Sequence, residues 1–252
     1  MRNVRRTIWL ITIAAGCTGG AIAAEPEFTT DFPTAACAFS SVGGNSYFPL
    51  RPGRQTYFNN AACVATGDCD ELVELWITTE KDTRRITLPL DRGSRIVRTR
   101  VVEERETHDG ELEEISRNFF ADCAQAHDVY YFGEEVDIYA DGEIVSHDGA
   151  WQAGRRGARP GIIMPDSAFI IGSRYYNEIA PDIALDRAEH VRGGFSVTVP
   201  AGRFDHCVEV KETTPLEPGS SSAKVYCRNV GLVRDGEVEL AAIYYRGHGD
   251  DD

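Results

Sequence analysis

Residues 128–165 read DVYYFGEEVDIYADGEIVSHDGAWQAGRRGARPGIIMP. The aromatic run Tyr130-Tyr131-Phe132 opens a strand. Asp141-Gly142 and Asp148-Gly149 follow as tight turns, because an Asp-Gly pair accepts the positive φ angles a two-residue hairpin needs. A loop rich in Gly, Arg and Pro then surrounds Trp151 and ends in Ile162-Ile163-Met164. The segment reads as strand, turn, strand, turn and a long crossing loop, with no helical period.

The same grammar extends in both directions. Val73, Leu75 and Ile77 alternate with Glu74 and Trp76 over residues 71–79, the period-two signature of a half-buried strand. A short strand at 86–90 turns at Asp91-Arg92-Gly93. Val97, Thr99 and Val101 then share one face, and His108-Asp109-Gly110 turns the chain into residues 111–121. The charged run Glu103, Glu104, Arg105 and Glu106, opposite Glu113 and Glu114, reads as a solvated hairpin end. Further strands are expected at 55–58, 129–140, 143–147, within 168–179, and at 187–191, 195–199, 203–212, 223–226 and 237–245. Residues 180–186 are the one stretch with the look of a helical turn. These elements predict a mainly β protein: an antiparallel sheet, barrel-like or half-barrel, with long loops, forming a single all-β domain over residues 25–247.

The ends carry other signals. Arg2, Arg5 and Arg6 precede an apolar core at 8–16, too short to span a bilayer, and small residues lead to Ala23-Ala24. That is a signal peptide over residues 1–24. Ala14-Ala15-Gly16-Cys17 is a permissive lipobox, which would instead place a lipid anchor on Cys17. Residues 248–252 are expected to form a disordered acidic tail. The formal charge is −14 and becomes more negative without the three leader arginines, so nucleic acid is not an expected partner. No later stretch is apolar enough for a transmembrane helix. Six cysteines remain behind the leader: Cys37, Cys63, Cys69, Cys123, Cys207 and Cys227. An even count in an exported chain predicts up to three disulfides. Cys63 and Cys69 flank a short Gly-containing loop and pair best. Cys207 and Cys227 lie symmetrically about a turn, and Cys123 with Cys207 is the rival pairing.

Five segments fall in a recurring order: Tyr47-Phe48-Pro49-Leu50-Arg51-Pro52-Gly53, Val129-Tyr130-Tyr131-Phe132-Gly133-Glu134, Gly161-Ile162-Ile163-Met164-Pro165, Val199-Pro200-Ala201-Gly202-Arg203-Phe204 and Val230-Gly231-Leu232-Val233. Together they resemble an uncharacterised group of exported bacterial β-rich proteins. The resemblance implies fold and location and brings no activity with it. Cys227-Arg228-Asn229 stands where that group has Ala-Pro-Gly, and the Cys63–Cys69 loop looks like an addition.

Candidate chemistry is sparse. His108-Asp109, His127-Asp128 and His147-Asp148 pair a base with a carboxylate, but two of them sit in Gly turns that explain the Asp. No nucleophile elbow, zinc-protease helix, phosphate loop or EF-hand spacing is present, so neither catalytic residue, metal nor cofactor is expected. Glu134 with Asp137 or Glu143 is the one conceivable acid/base carboxylate pair, for a secreted hydrolase or lyase acting on a glycan or ester. The preferred reading is a ligand-binding or structural protein of the cell envelope. Its expected site combines Tyr130, Tyr131 and Trp151 as an apolar floor with Arg155, Arg156 and Arg159 on a Gly-hinged rim, for a small anionic or amphipathic ligand.

Overall fold

The computed structural model describes residues 27–90, 92–166 and 169–245. The expected leader, Cys17, Asp91 of one expected turn, and the tail 248–252 lie outside the described residues. Three short strands come first: β1 (Phe39–Ser40), β2 (Gly43–Gly44) and β3 (Pro49–Leu50). A five-stranded meander follows, from β4 (Arg54–Asn59) through β5 (Val73–Pro89), β6 (Ser94–His108) and β7 (Glu111–Cys123) to β8 (Val129–Ala140). The short strands β9 (Glu143–Ser146), β10 (Trp151–Gln152), β11 (Arg159–Met164), β12 (Arg174–Tyr176) and β13 (Glu178–Ile179) lead into a second meander. This comprises β14 (Arg187–Val199), β15 (Gly202–Thr213), β16 (Ser222–Cys227), β17 (Gly231–Asp235) and β18 (Val238–Tyr245).

Sixteen of these strands form one antiparallel sheet. The two meanders join where β18 pairs with β4, Leu240 opposite Phe58. At the other side β8 pairs with β11, β11 with β13, and β12 with β14. The ends of this path, β12 and β13, are separated by Asn177 alone, so the sheet curls back to its own start and forms a nearly closed barrel. The expected barrel-like antiparallel fold is what the chain adopts. Asp109-Gly110 and Asp141-Gly142 both take positive φ, at 50° and 86° and at 53° and 78°, as tight hairpins require.

Several expected elements are redrawn. Residues 71–79 and 86–90 belong to one strand, β5, which bulges at residues 80–82 opposite β6. The bulge has a use. Its three carbonyls, from Glu80, Lys81 and Asp82, accept bonds from Arg100 Nη1 at 3.1, 2.8 and 3.2 Å, while Arg100 Nε donates to Ser41 O at 2.8 Å. A guanidinium that is only 4 % exposed is satisfied entirely by backbone. β6 itself alternates without interruption here, so Val97 and Thr99 lie on one face and Val102 and Glu104 on the other, which lines the cavity. Residues 187–191 and 195–199 are likewise one strand, β14, and the strand expected within 168–179 is two pieces kinked at Asn177. A six-residue helix, α1 (Ala61–Thr66), leads into and overlaps the Cys63–Cys69 loop and is ended by Gly67 in the left-handed region.

One end of the barrel is stoppered by residues 45–50. Asn45 Nδ2 donates to the carbonyls of His127, Met164 and Pro165, and its Oδ1 accepts the Tyr47 and Phe48 amides. Asn229 N donates to Ser46 O at 2.6 Å, and Gly231 lies so close that an added Cβ would meet Pro49 at 3.1 Å. The preceding arm is pinned by Cys37–Cys123. Cys63–Cys69 and Cys207–Cys227 complete the set, so the Cys123–Cys207 alternative is excluded. Cys207 and Cys227 face each other directly across β15 and β16. Three disulfides fit an oxidising, exported environment. No helix among the described residues is long and apolar enough to cross a membrane.

The disulfides span 86, 20 and 6 residues of sequence. On chain-entropy grounds, removing Cys37–Cys123 costs most, about 4.6 kcal/mol, Cys207–Cys227 about 3 and Cys63–Cys69 about 2. Urea unfolding of the three paired Cys→Ala variants should reproduce that order. A Cys37/Cys123 variant as stable as wild type would show that the stopper does not depend on its tether.

Candidate functional site

The barrel encloses a cavity of about 210 Å³ whose lining differs from one end to the other. Under the stopper it is apolar, walled by Phe48, Leu50, Val102, Phe120, Tyr226 and Leu232. These come from successive strands because inward side chains recur every second residue and neighbouring strands are in register, Tyr226 opposite Leu232 for example. One register step away, on the same strands, the lining turns charged. Val102 gives way to Glu104, Tyr226 to Lys224, and Leu232, across a bulge, to Asp235. Glu212, Glu134, Asn177, Glu178 and Asp186 complete that polar end. Solvent enters from there: Lys224 and Asp235 keep 25 % and 27 % of their side-chain exposure, against 1 % for Leu50 and 4 % for Phe120.

Gly133 creates part of this geometry. Along an ideal strand Tyr131 and Glu134 would point to opposite faces. The pairing of β7 with β8 slips between Asn118, opposite Glu134, and Phe120, opposite Tyr131. That bulge brings both side chains into the cavity. Gly133 adopts φ 141°, and an added Cβ would lie 2.5 Å from the Trp151 carbonyl oxygen, so only glycine fits.

Electrostatics at the polar end follow from burial. Lys224 Nζ lies 2.9 Å from Glu212 and 3.3 Å from Asp235. Burial by itself would depress the ammonium, but the two carboxylates outweigh it and hold the group well above its ordinary range. Lys224 is therefore a fixed cation and not a nucleophilic amine. Glu134 is pushed up to about 8, first by burial, with a bond from Tyr131 opposing and the charges of Glu114 and Glu104 adding. Glu104 is pushed up to about 7 by burial, with Lys224 opposing. Burial also raises Glu178, which is 1 % exposed and accepts the Asp186 amide at 2.6 Å. Asn177, 2 % exposed, donates from Nδ2 to Glu212 at 3.3 Å, while its Oδ1 has no partner. An unpartnered buried acceptor costs on the order of 1–3 kcal/mol unless something bonds it.

The expected site residues are divided. Tyr131 lines the cavity, stacked on Phe120 at 4.8 Å with its hydroxyl donating to Asn118 Oδ1. Tyr130, its neighbour, points the other way and packs under the arm against Phe32 and Phe39. Trp151, Arg155 and Arg156 do meet, around a separate hollow of about 270 Å³ that also touches Arg84, Glu135 and Glu134. The Trp151 Nε1 there is buried without a partner. Arg159 is elsewhere, paired with Asp31 at 2.9 Å. The Gly-Arg loop is a tight turn closed by Gly154 N to Ala158 O and Ala158 N to Arg155 O, both 2.8 Å, and Arg159 already belongs to β11.

The conceivable carboxylate pair is not assembled. Asp137 is held on the other face by Arg117 at 3.0 Å and His147 at 2.9 Å, and Glu143 is exposed. Glu104, expected at a solvated hairpin end, faces the cavity instead. The three His-Asp pairs serve local structure: Asp109 accepts the Leu72 amide, Asp128 the Asp166 amide, and His147 lies 2.8 Å from the Val136 carbonyl. Among the described residues no cluster of three or more His, Cys, Asp or Glu has metal-binding geometry. Lys224, Glu212, Asp235 and Asn177 line the cavity and are absent from the expected site. The interruption of the apolar alternation by Lys224 in β16 was the one available signal.

The raised carboxyls have a stability consequence. Glu104 and Glu134 keep protons in the folded state that the unfolded chain releases near its ordinary value of 4.5. Stability therefore falls as pH rises from about 5 towards about 8, through the folded-state values. Glu134→Gln should remove part of this decline. Thermal melts at about pH 5.5 and about pH 8.5 should show a smaller difference for the variant than for wild type, at roughly 2–4 °C per kcal/mol. An identical difference in both proteins would place the Glu134 carboxyl in solvent.

No family model, no curated protein and no solved structure matches this chain.

Proposed function

We propose that this chain is an exported envelope protein that binds a small amphipathic molecule inside its barrel without transforming it. The observation that carries the reading is the cavity lining: an apolar end beneath the stopper and a charged end open to solvent, with Asn177, whose buried Oδ1 has no partner, in its wall. Concave, largely apolar walls with a few placed polar groups are the usual make-up of a small-molecule site. Location in the periplasm or outside the cell is part of the proposal, as is kinship with the exported β-rich group. A lipid on Cys17 would tether the barrel to a membrane. An anionic ligand fits the outer hollow better than the interior, since Arg155, Arg156 and the unpartnered Trp151 Nε1 are all donors.

The alternative, a hydrolase or lyase acting on a glycan or ester, is favoured by one observation. Glu134, pushed up to about 8, stays protonated near neutrality as a general acid must.

A thermal-shift screen of small amphiphiles on wild type and on Val102→Phe, which fills the apolar end, tests the proposal. A ligand at about 100 times its Kd stabilises wild type by about 2.7 kcal/mol. The shift should vanish in Val102→Phe, provided that variant melts cooperatively by itself. If no compound shifts wild type, or if every shift survives in Val102→Phe, the interior site is wrong. Loss of the shift in an Arg155→Ala/Arg156→Ala variant would move the site to the outer hollow. Turnover abolished by Glu134→Gln would establish the enzyme reading.

A further inference from the structure

The polar end of the cavity is unbalanced in one direction. Two cations line the cavity and both are committed: Lys224 to Glu212 and Asp235, and Arg54 to the Val230 carbonyl at 2.5 Å. Glu104 and Glu134 have no ion-pair partner among the described residues, and Asn177, which lines the same cavity and is 2 % exposed, has an orphaned acceptor oxygen. What this end lacks is an uncommitted cation. We propose that the ligand is a small primary amine with an apolar body, its ammonium held by Glu104, Glu134 and Asn177 Oδ1. Its body lies against Val102, Phe120 and Leu232. The assignment rests on the interior-binding reading above.

The chemistry separates this from its neighbours. An ammonium has three donors and no acceptor, the complement of two carboxyl groups and an amide oxygen. A carboxylate or phosphate ligand would find no uncommitted cation here and would lie beside Glu212 and Asp235, the carboxylates of the Lys224 triad, where like charges repel. A polyol would satisfy Asn177 but leave the apolar end against polar groups, which is unfavourable. The volume sets the size. About 210 Å³ equals roughly seven waters at ~30 Å³ each, room for an amine of one ring or a short alkyl chain. Displacing those waters from Phe120, Val102 and Leu232 supplies the apolar part of the affinity.

The assignment can be read by isothermal titration calorimetry with three compounds of one shape: phenethylamine, phenethyl alcohol and hydrocinnamate. Phenethylamine should bind wild type at least about tenfold more tightly than phenethyl alcohol, with hydrocinnamate weakest. Glu104→Gln/Glu134→Gln should lose about tenfold for the amine and leave the alcohol unchanged. Val102→Phe should lose both. If the alcohol or hydrocinnamate binds wild type as tightly as the amine and is lost in Val102→Phe, the amine assignment falls while the interior site stands. If all three fail to bind wild type, the assignment is overturned along with this choice of cavity. If the amine binds equally well to the double Gln variant, the carboxyl groups are not its partners and the assignment is overturned.

Discussion

The Lys224 ammonium between Glu212 and Asp235 is what allows this barrel to keep charge inside its wall. A barrel interior is ordinarily filled by side chains that pack, and an ion placed there costs several kcal/mol unless it is paired. Here one cation compensates two carboxylates on the adjoining strands β15 and β17. With that triad in place, the interior holds a polar layer and a hollow instead of a continuous apolar core. Glu104 and Glu134 make no ion pair with it and meet the same penalty differently, burial raising both carboxyls towards their protonated form.

The stopper and the charged end are two halves of one arrangement. Asn45 ties residues 45–50 to three carbonyls contributed by two separate segments, so the apolar end is shut by hydrogen bonds and not by packing alone. Shutting one end fixes the direction of access. Anything entering meets Asp186, Glu212 and Asp235 before it reaches Phe120 and Leu50.

What was legible in the sequence was whatever depends on neighbours along the chain. The limits of β8 followed from Tyr130-Tyr131-Phe132 and from the Asp141-Gly142 turn, and the Cys207–Cys227 pair from its symmetry about a hairpin. What was not legible depends on the partner strand. Alternation assigns Tyr131 and Glu134 to opposite faces, and only the slip of β7 against β8 at Gly133 reverses that. Glu104 differs: β6 alternates without interruption and carries it on the face of Val102, and only its charged neighbours make a local reading leave it in solvent. Arg155 and Arg156 border the same outer hollow as Trp151, yet the enclosed cavity lies on the inner side of the same wall, and Glu134 borders both. Bulges are where the local rule fails, and here they are also where the polar end is built.

The pairing of β18 with β4 carries a consequence for how the molecule comes into being. One seam of the cylinder is stitched from strands about 180 residues apart in sequence, while nearly every other pairing within the two meanders is between consecutive strands. Loop-closure entropy makes such a seam late and slow compared with hairpins. Each meander can assemble as it emerges, but until β18 arrives the edge of β4 stays unpaired and the Lys224 triad stands open to water. An incomplete chain therefore presents a bare strand edge, the feature most prone to pair with another molecule. The interior becomes a compartment only with the last described strand, so the molecule has no cavity, and nothing to hold, until its two ends have found each other.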